Sequence, residues 1–268
     1  MDIERFWQLI ESARAAAGPQ ADQAVRDFDL TDDGTEVDAD GEGWEFDEAE
    51  MQALIDAARA EFEAGRDLEV DDLDDSDLDA EDEDDLSDPI AVALHDLLVQ
   101  LPAAEIGAFD NLFEDVRALA DRAGLANAAI LIEHGFLGDD SFDDFRAGLV
   151  ALGRRAFEAA IADPDSLADH PLVREIATAR DPRWLGREDM LFVASHAYAD
   201  VTGEDEVTFY DFAESLRGPD FSPVVAEPDV EWEITDEAET RRRLPKLSSM
   251  FYERSMRNRR RALDKLGL

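Results

Sequence analysis

Apolar residues recur along this chain at intervals of three and four, and no stretch sustains the period-two alternation of a half-buried strand. Ile3, Phe6, Trp7 and Ile10 form the first stripe, with Asp2 as its cap and Gly18-Pro19 as its end. Met51, Leu54, Ile55, Ala58 and Phe62 predict a helix over 47–65. Asp88 followed by Pro89 marks another start, with Leu94, Leu97, Leu98 and Leu101 on its face. Pro102 opens the next, where Ile106, Phe109, Phe113, Val116 and Leu119 repeat as far as Gly124. Helices are also predicted over 171–179, 188–201 and 207–216, and 218–230 reads as a proline-containing connection. After Thr235-Asp236 comes a short helix, then past Pro245 a longer one through Met250, Phe251, Met256, Leu263 and Leu266.

The best-punctuated stretch is Ala128–Leu167, which predicts three short helices. The first stops at Gly135. Asp139 and Asp140 then read as a loop leading to Ser141, which would cap the second helix with Asp144 as its partner. Phe142, Phe145, Leu149 and Val150 share one face, Gly153 ends the helix, and a third runs from Arg154 to Pro164. The predicted class is all-α: a multi-helix globular domain with an acidic, largely disordered insertion and a basic C-terminal helix. The first helix of the main domain occupies 1–19, the insertion 20–87, the helical core 88–217, and a linker with the basic segment 218–268.

Charge changes the picture most. Among 268 residues, 68 acids face 25 bases, a formal net of −43. Such a field disfavours nucleic acid, anionic lipid and phosphate ligands on average. The absence of cysteine excludes disulfides and thiolate chemistry and fits a reducing compartment. The charged N-terminus lacks the apolar run of a signal peptide, and no stretch approaches the roughly 20 apolar residues of a membrane span. A cytoplasmic protein without a membrane partner is expected.

The acids are unevenly placed. Asp67 to Asp88 holds 14 acids and no base, including Asp71, Asp72, Asp74, Asp75, Asp82, Asp84 and Asp85. Such a block is either a solvated linker or a surface for a basic protein partner. Upstream, Asp29, Thr31, Asp33, Gly34 and Asp40 fall at positions 1, 3, 5, 6 and 12 of a calcium-loop frame. Glu36, Asp38, Asp40, Gly41 and Asp47 fit an overlapping one. Both frames lack the apolar eighth residue and the bidentate Glu at twelve, and Asp-rich sequence produces such matches by chance. A solvated loop without a cofactor is the expectation, with Ca²⁺ on Asp29, Asp33, Asp38 and Asp40 as the alternative. The segment from Arg241 reverses the sign, with ten bases and two acids. It is expected to dock on the acidic remainder of its own chain.

Catalytic patterns are not evident. The four histidines, His95, His134, His170 and His196, form no helical zinc pair, and Ser195-His196 are neighbours that cannot face each other. Glu133, His134, Asp139, Asp140 and Asp143 cluster around the central loop. They would either hold a metal or simply charge a helix N-terminus, where anions gain roughly 0.3–1 kcal/mol each. The favoured function is a non-catalytic interaction protein whose acidic segment engages a basic partner, as an immunity protein, an antitoxin-like inhibitor or a nucleic-acid mimic would. The competing one is a metal-binding or metal-regulated protein using 29–47 or 133–144.

FWQLIESARAAAG (6–18), DDSFDDFRAGLVALGR (139–154), FEAAIADPDSLAD (157–169) and EWEITDEAETRRRLPKLSSMFY (231–252) together resemble the bacterial family known as domain of unknown function 4240. The resemblance covers most of the chain outside about 20–86. It implies a helical fold and no particular activity, and it singles out Asp143, Asp144 and Arg146 as motif positions. Two positions depart from the family pattern: Gly148 stands where Trp is usual and Leu152 where Gln is usual.

Overall fold

The computed structural model describes residues 1–26, 86–135, 137–180, 182–219 and 221–265. Contacts divide the chain into two units, Met1–Asp27 with Leu86–Leu268, and Phe28–Asp85. The described residues belong to the first. The helix predicted over 47–65, the calcium frames and the acidic block up to Asp85 lie outside them.

Helix α1 (Ile3–Ala17) starts where the Asp2 carboxylate accepts the Arg5 N–H at 2.8 Å. It buries Phe6, Trp7, Leu9, Ile10 and Ala13. Ile3 is exposed, since the buried arc is centred on 6, 10 and 13 and the first turn lies at its edge. A 3-10 turn, Gly18–Asp22, leads to β1 (Val25–Arg26), which pairs antiparallel with β2 (Arg183–Trp184). Two residues are too few to show alternation, so sequence periodicity missed this pair.

Helix α2 (Pro89–Leu98) is capped by Asp88, whose Oδ1 accepts the N–H groups of Ile90 and Ala91. Helix α3 (Ala103–Ala118) follows Pro102. Gly124, expected to end that helix, instead lies in the first turn of α4 (Ala123–Ile132). The cap is supplied from far along the chain: Asp229 accepts the N–H groups of Ala123 and Gly124, each at 2.8 Å. A Cβ on Gly124 would sit 2.9 Å from that carboxylate, so glycine permits the approach.

Helix α5 (Asp139–Ala151) begins earlier than its sequence suggested. Gly138 is the cap residue. Ser141 occupies the third helical position and its Oγ accepts the Gly138 N–H at 2.7 Å. Asp139 and Asp140 therefore form the first helical turn, where the backbone dipole favours them. Helix α6 (Arg154–Ala162) follows Gly153, whose φ of 89° suits glycine. After a 3-10 turn (Pro164–Asp169), α7 (Pro171–Thr178) is capped by His170 Nδ1, which accepts the Leu172 N–H. Then come α8 (Asp189–Thr202), stopped by left-handed Gly203, and α9 (Glu206–Ser215). The last helices are α10 (Glu237–Arg243) and α11 (Pro245–Lys265).

Helix α8 is the centre of the packing, touching α2, α3, α5 and α9, while α1 lies on α2 and α3. Phe6, Phe109, Phe113, Phe145 and Phe209 are almost wholly buried in this core, and so is Phe251 of α11. The architecture is all-α apart from the short strand pair. No helix among the described residues is long and apolar enough to cross a membrane.

The basic C-terminal segment packs along α4. Leu247, Ser248, Phe251, Tyr252 and Ser255 are buried, and Ser255 Oγ donates to the Leu131 carbonyl at 2.7 Å. Asp165 caps α11 by accepting the N–H groups of Lys246 and Leu247. Arg241, Arg242 and Arg243 pair with Glu237, Glu239 and Glu253 of the same segment, and Lys246 reaches Asp169 of the body at 2.7 Å. Apolar burial and backbone capping hold this helix more than charge neutralisation does, because exposed ion pairs contribute little.

Candidate functional site

The acidic centre of the sequence folds around the segment Arg183–Asp189. Glu133, at the end of α4, is 2% exposed, and its Oε1 accepts the N–H groups of Leu185 and Gly186 at 3.0 and 3.1 Å. Burial pushes its carboxyl up to about 8, against the two hydrogen bonds that favour the charged form. His134 has a left-handed backbone, φ 61°. Its ring meets Trp184 edge-on at 4.9 Å, and Nε2 lies 2.9 Å from the Arg183 carbonyl oxygen. The Asp144 carbonyl accepts the Arg187 N–H at 3.0 Å, while burial, with Glu188 and Asp140 nearby, raises its carboxyl to about 6.

The expected cluster does not converge. Asp143 and Asp144 are successive on a helix and diverge. Asp143 pairs with Arg146 and, at 3.0 Å, with Arg117; Arg146 also covers the Phe142 ring at 4.9 Å. Asp139 and Asp140 are exposed. Among the described residues, no three His, Asp or Glu side chains come together as a metal site would require. Asp143, Asp144 and Arg146 thus link α5 to α3 and to the 183–189 segment. Of the other candidates, Asp29, Asp33, Asp38, Asp40 and the acids from Asp71 to Asp85 lie outside the described residues.

Arg187 and Asp88 form a buried ion pair, with side chains 1% and 6% exposed. The same guanidinium donates to the carbonyls of Ala21 and Gln23. Asp189 accepts the N–H groups of Ser87 and Asp88, both at 2.6 Å. The chain is therefore clamped just before and just after residues 27–85.

A solvent-open cleft of about 460 Å³ lies between α1, α6 and the 164–171 turn. Its volume falls within the roughly 300–1,000 Å³ usual for small-molecule sites. Leu152, Ala156, Ala159, Leu167 and Pro171 form the apolar lining, and Glu11, Arg14, Arg155, Ser166, Asp169 and His170 the polar one. Arg14 is committed to Asp22 and to the Ala151 carbonyl, and Asp169 to Lys246 and Arg174. Burial lowers the pKa of His170 below the ordinary imidazole range. Sequence reasoning passed over this cleft because its side chains come from segments more than 100 residues apart. The one local signal was that LGR and DPDSLA, both quoted for the family resemblance, adjoin it. Leu152, one of the two departures, lines it; Gly148 does not.

The family model described as a protein of unknown function (DUF4240) matches residues 70–200. The span includes α5, α6 and the DPDSLA turn, but neither the opening stripe at 6–18 nor the stretch at 231–252. No curated protein and no solved structure matches the chain.

Proposed function

As this chain belongs over residues 70–200 to the DUF4240 family, whose function is unknown, we propose that it is a non-catalytic, cytoplasmic interaction protein that presents an acidic segment to a basic protein. The observation that carries the reading is Asp67–Asp85, where 13 acids stand without a base. Like charges at that density repel one another, and a cationic surface relieves the repulsion on binding. The chemistry of the described body supports the same reading. Asp88, Asp165 and Asp229 are spent on capping helices, and Glu133 on holding the 183–189 segment. An immunity protein, an antitoxin-like inhibitor or a nucleic-acid mimic would use an acidic segment in this way.

The test is capture from host lysate with the full chain and with residues 67–86 deleted, nuclease present. A basic protein held by the full chain, lost on deletion and released by salt, is the expected result. Retention of the same proteins by both chains overturns the proposal. The competing metal-regulated reading rests on the 29–47 frame and is tested by calorimetry with Ca²⁺, Mg²⁺ and Zn²⁺.

A further inference from the structure

We propose that the cleft between α1, α6 and the 164–171 turn binds a small organic monocarboxylate with a short apolar tail, anchored by Arg155. The argument starts from which charges in the cleft are already used. Arg14 holds Asp22 at 2.7 Å. Arg154, the chain neighbour of Arg155, is shared between Glu4 and Glu158, also at 2.7 Å. Lys246 and Arg174 both take Asp169. Arg155 is exposed and lines the cleft, and its guanidinium has no hydrogen bond or ion pair with another described residue. In a chain with 68 acids and 25 bases, an unspent guanidinium beside a cavity is a specific resource.

Hydrogen-bond donors complete the polar side. His170 Nδ1 accepts the Leu172 N–H, so the ring carries its hydrogen on Nε2, which donates to no described residue. Ser166 Oγ is likewise without a partner among the described residues and lines the same cleft. One planar cation with two neutral donors suits the two oxygens of a carboxylate. The lining also selects against greater charge. Glu11 and Asp169 stand among the lining residues, and they repel a phosphate dianion more than a carboxylate. Leu152, Ala156, Ala159 and Pro171 provide the surface that an aliphatic tail would cover.

The experiment titrates the full chain with hexanoate by calorimetry and ligand-observed NMR. Hexan-1-ol, hexylamine and inorganic phosphate serve as uncharged, cationic and dianionic comparisons. Hexanoate is expected to bind saturably and more tightly than all three. R155Q, at an exposed position, should leave the melting temperature in place and weaken hexanoate at least about tenfold, as loss of a charge-assisted contact does. A159W, which fills the cleft, should abolish binding. The proposal is overturned if hexanoate does not bind at millimolar concentration, if R155Q binds it unchanged, or if hexan-1-ol, hexylamine or phosphate binds as well. Deletion of 67–86 leaves the cleft residues intact, so this proposal and the acidic-segment proposal fail separately.

Discussion

A Cβ placed on Gly148 would stand 2.2 Å from the carbonyl oxygen of Leu185. Helix α5 and the 183–189 segment thus touch backbone to backbone, and only a residue without a side chain permits it. G148A should push the segment away, loosening the grip of Glu133 on Leu185 and Gly186. The expected cost is on the order of 1–3 kcal/mol, typical of an overpacked core, read from the midpoint of urea unfolding. A midpoint equal to wild type would show that the contact is not tight in solution.

Among the described residues, three carboxyls are raised by burial: Asp144 to about 6, Asp110 to about 7 and Glu133 to about 8. Each binds its proton more tightly folded than unfolded, so unfolding releases protons between the unfolded and folded values. Stability should then fall as pH rises from about 5 to 8, by at most about 1.4 kcal/mol per pH unit for each group. His170, with its pKa lowered, acts oppositely and removes stability as pH drops below the ordinary imidazole value. Between about pH 7 and 8 Glu133 is the last of the three carboxyls still titrating. E133Q should therefore flatten that part of the profile in pH-dependent denaturant melts. An unchanged slope would reject a protonated Glu133.

Arg187 binds Asp88 on one side and the carbonyls of Ala21 and Gln23 on the other. R187A leaves Asp88 buried without its counter-charge and should cost about 3–5 kcal/mol. One guanidinium holds both roots of the 28–85 segment, so they lie close together. Replacing 28–85 by about six Gly and Ser residues, a flexible coil of roughly 13 Å, should leave a cooperatively folded helical body. Circular dichroism and a thermal melt would show it, and a molten product would mean that the segment is needed for folding.

Asp165 is 4% exposed and takes two backbone N–H groups at the start of α11. D165A should free that end at a cost of about 0.5–2 kcal/mol, the range for a lost cap. Hydrogen exchange should quicken first at residues 245–255. Quickening confined to residues 164–169 would place the carboxylate's role in its own turn instead.

Most of the helices were legible because their signals are local. Asp2, Asp88 and Asp236 cap as their positions imply, and Gly203 ends α8. Errors arose where the residue that caps is not the one the local pattern offers. Gly124 reads as a stop until Asp229 arrives from the 218–230 connection. Ser141 reads as a cap until Gly138, with no side chain, takes that place. The candidate acids were recognised as a cluster by their spacing alone. Two of them are in fact taken separately: Asp143 by Arg117, and Glu133 by two backbone amides. The cleft was illegible for the same reason, since nothing near Arg155 in the chain announces Glu11 or His170.

The clamp by Arg187 also sets an order of events during synthesis. Its carbonyl partner Ala21 is made 166 residues earlier, and β1 likewise waits for β2. At about 5–20 residues per second, the N-terminal segment emerges on the order of ten seconds or more before the group that secures it exists. Phe6 packs on Phe109 and Trp7 on Phe157, both made before Arg187, so the opening helix gains its apolar neighbours first and the stretch at 21–26 that follows it is secured last.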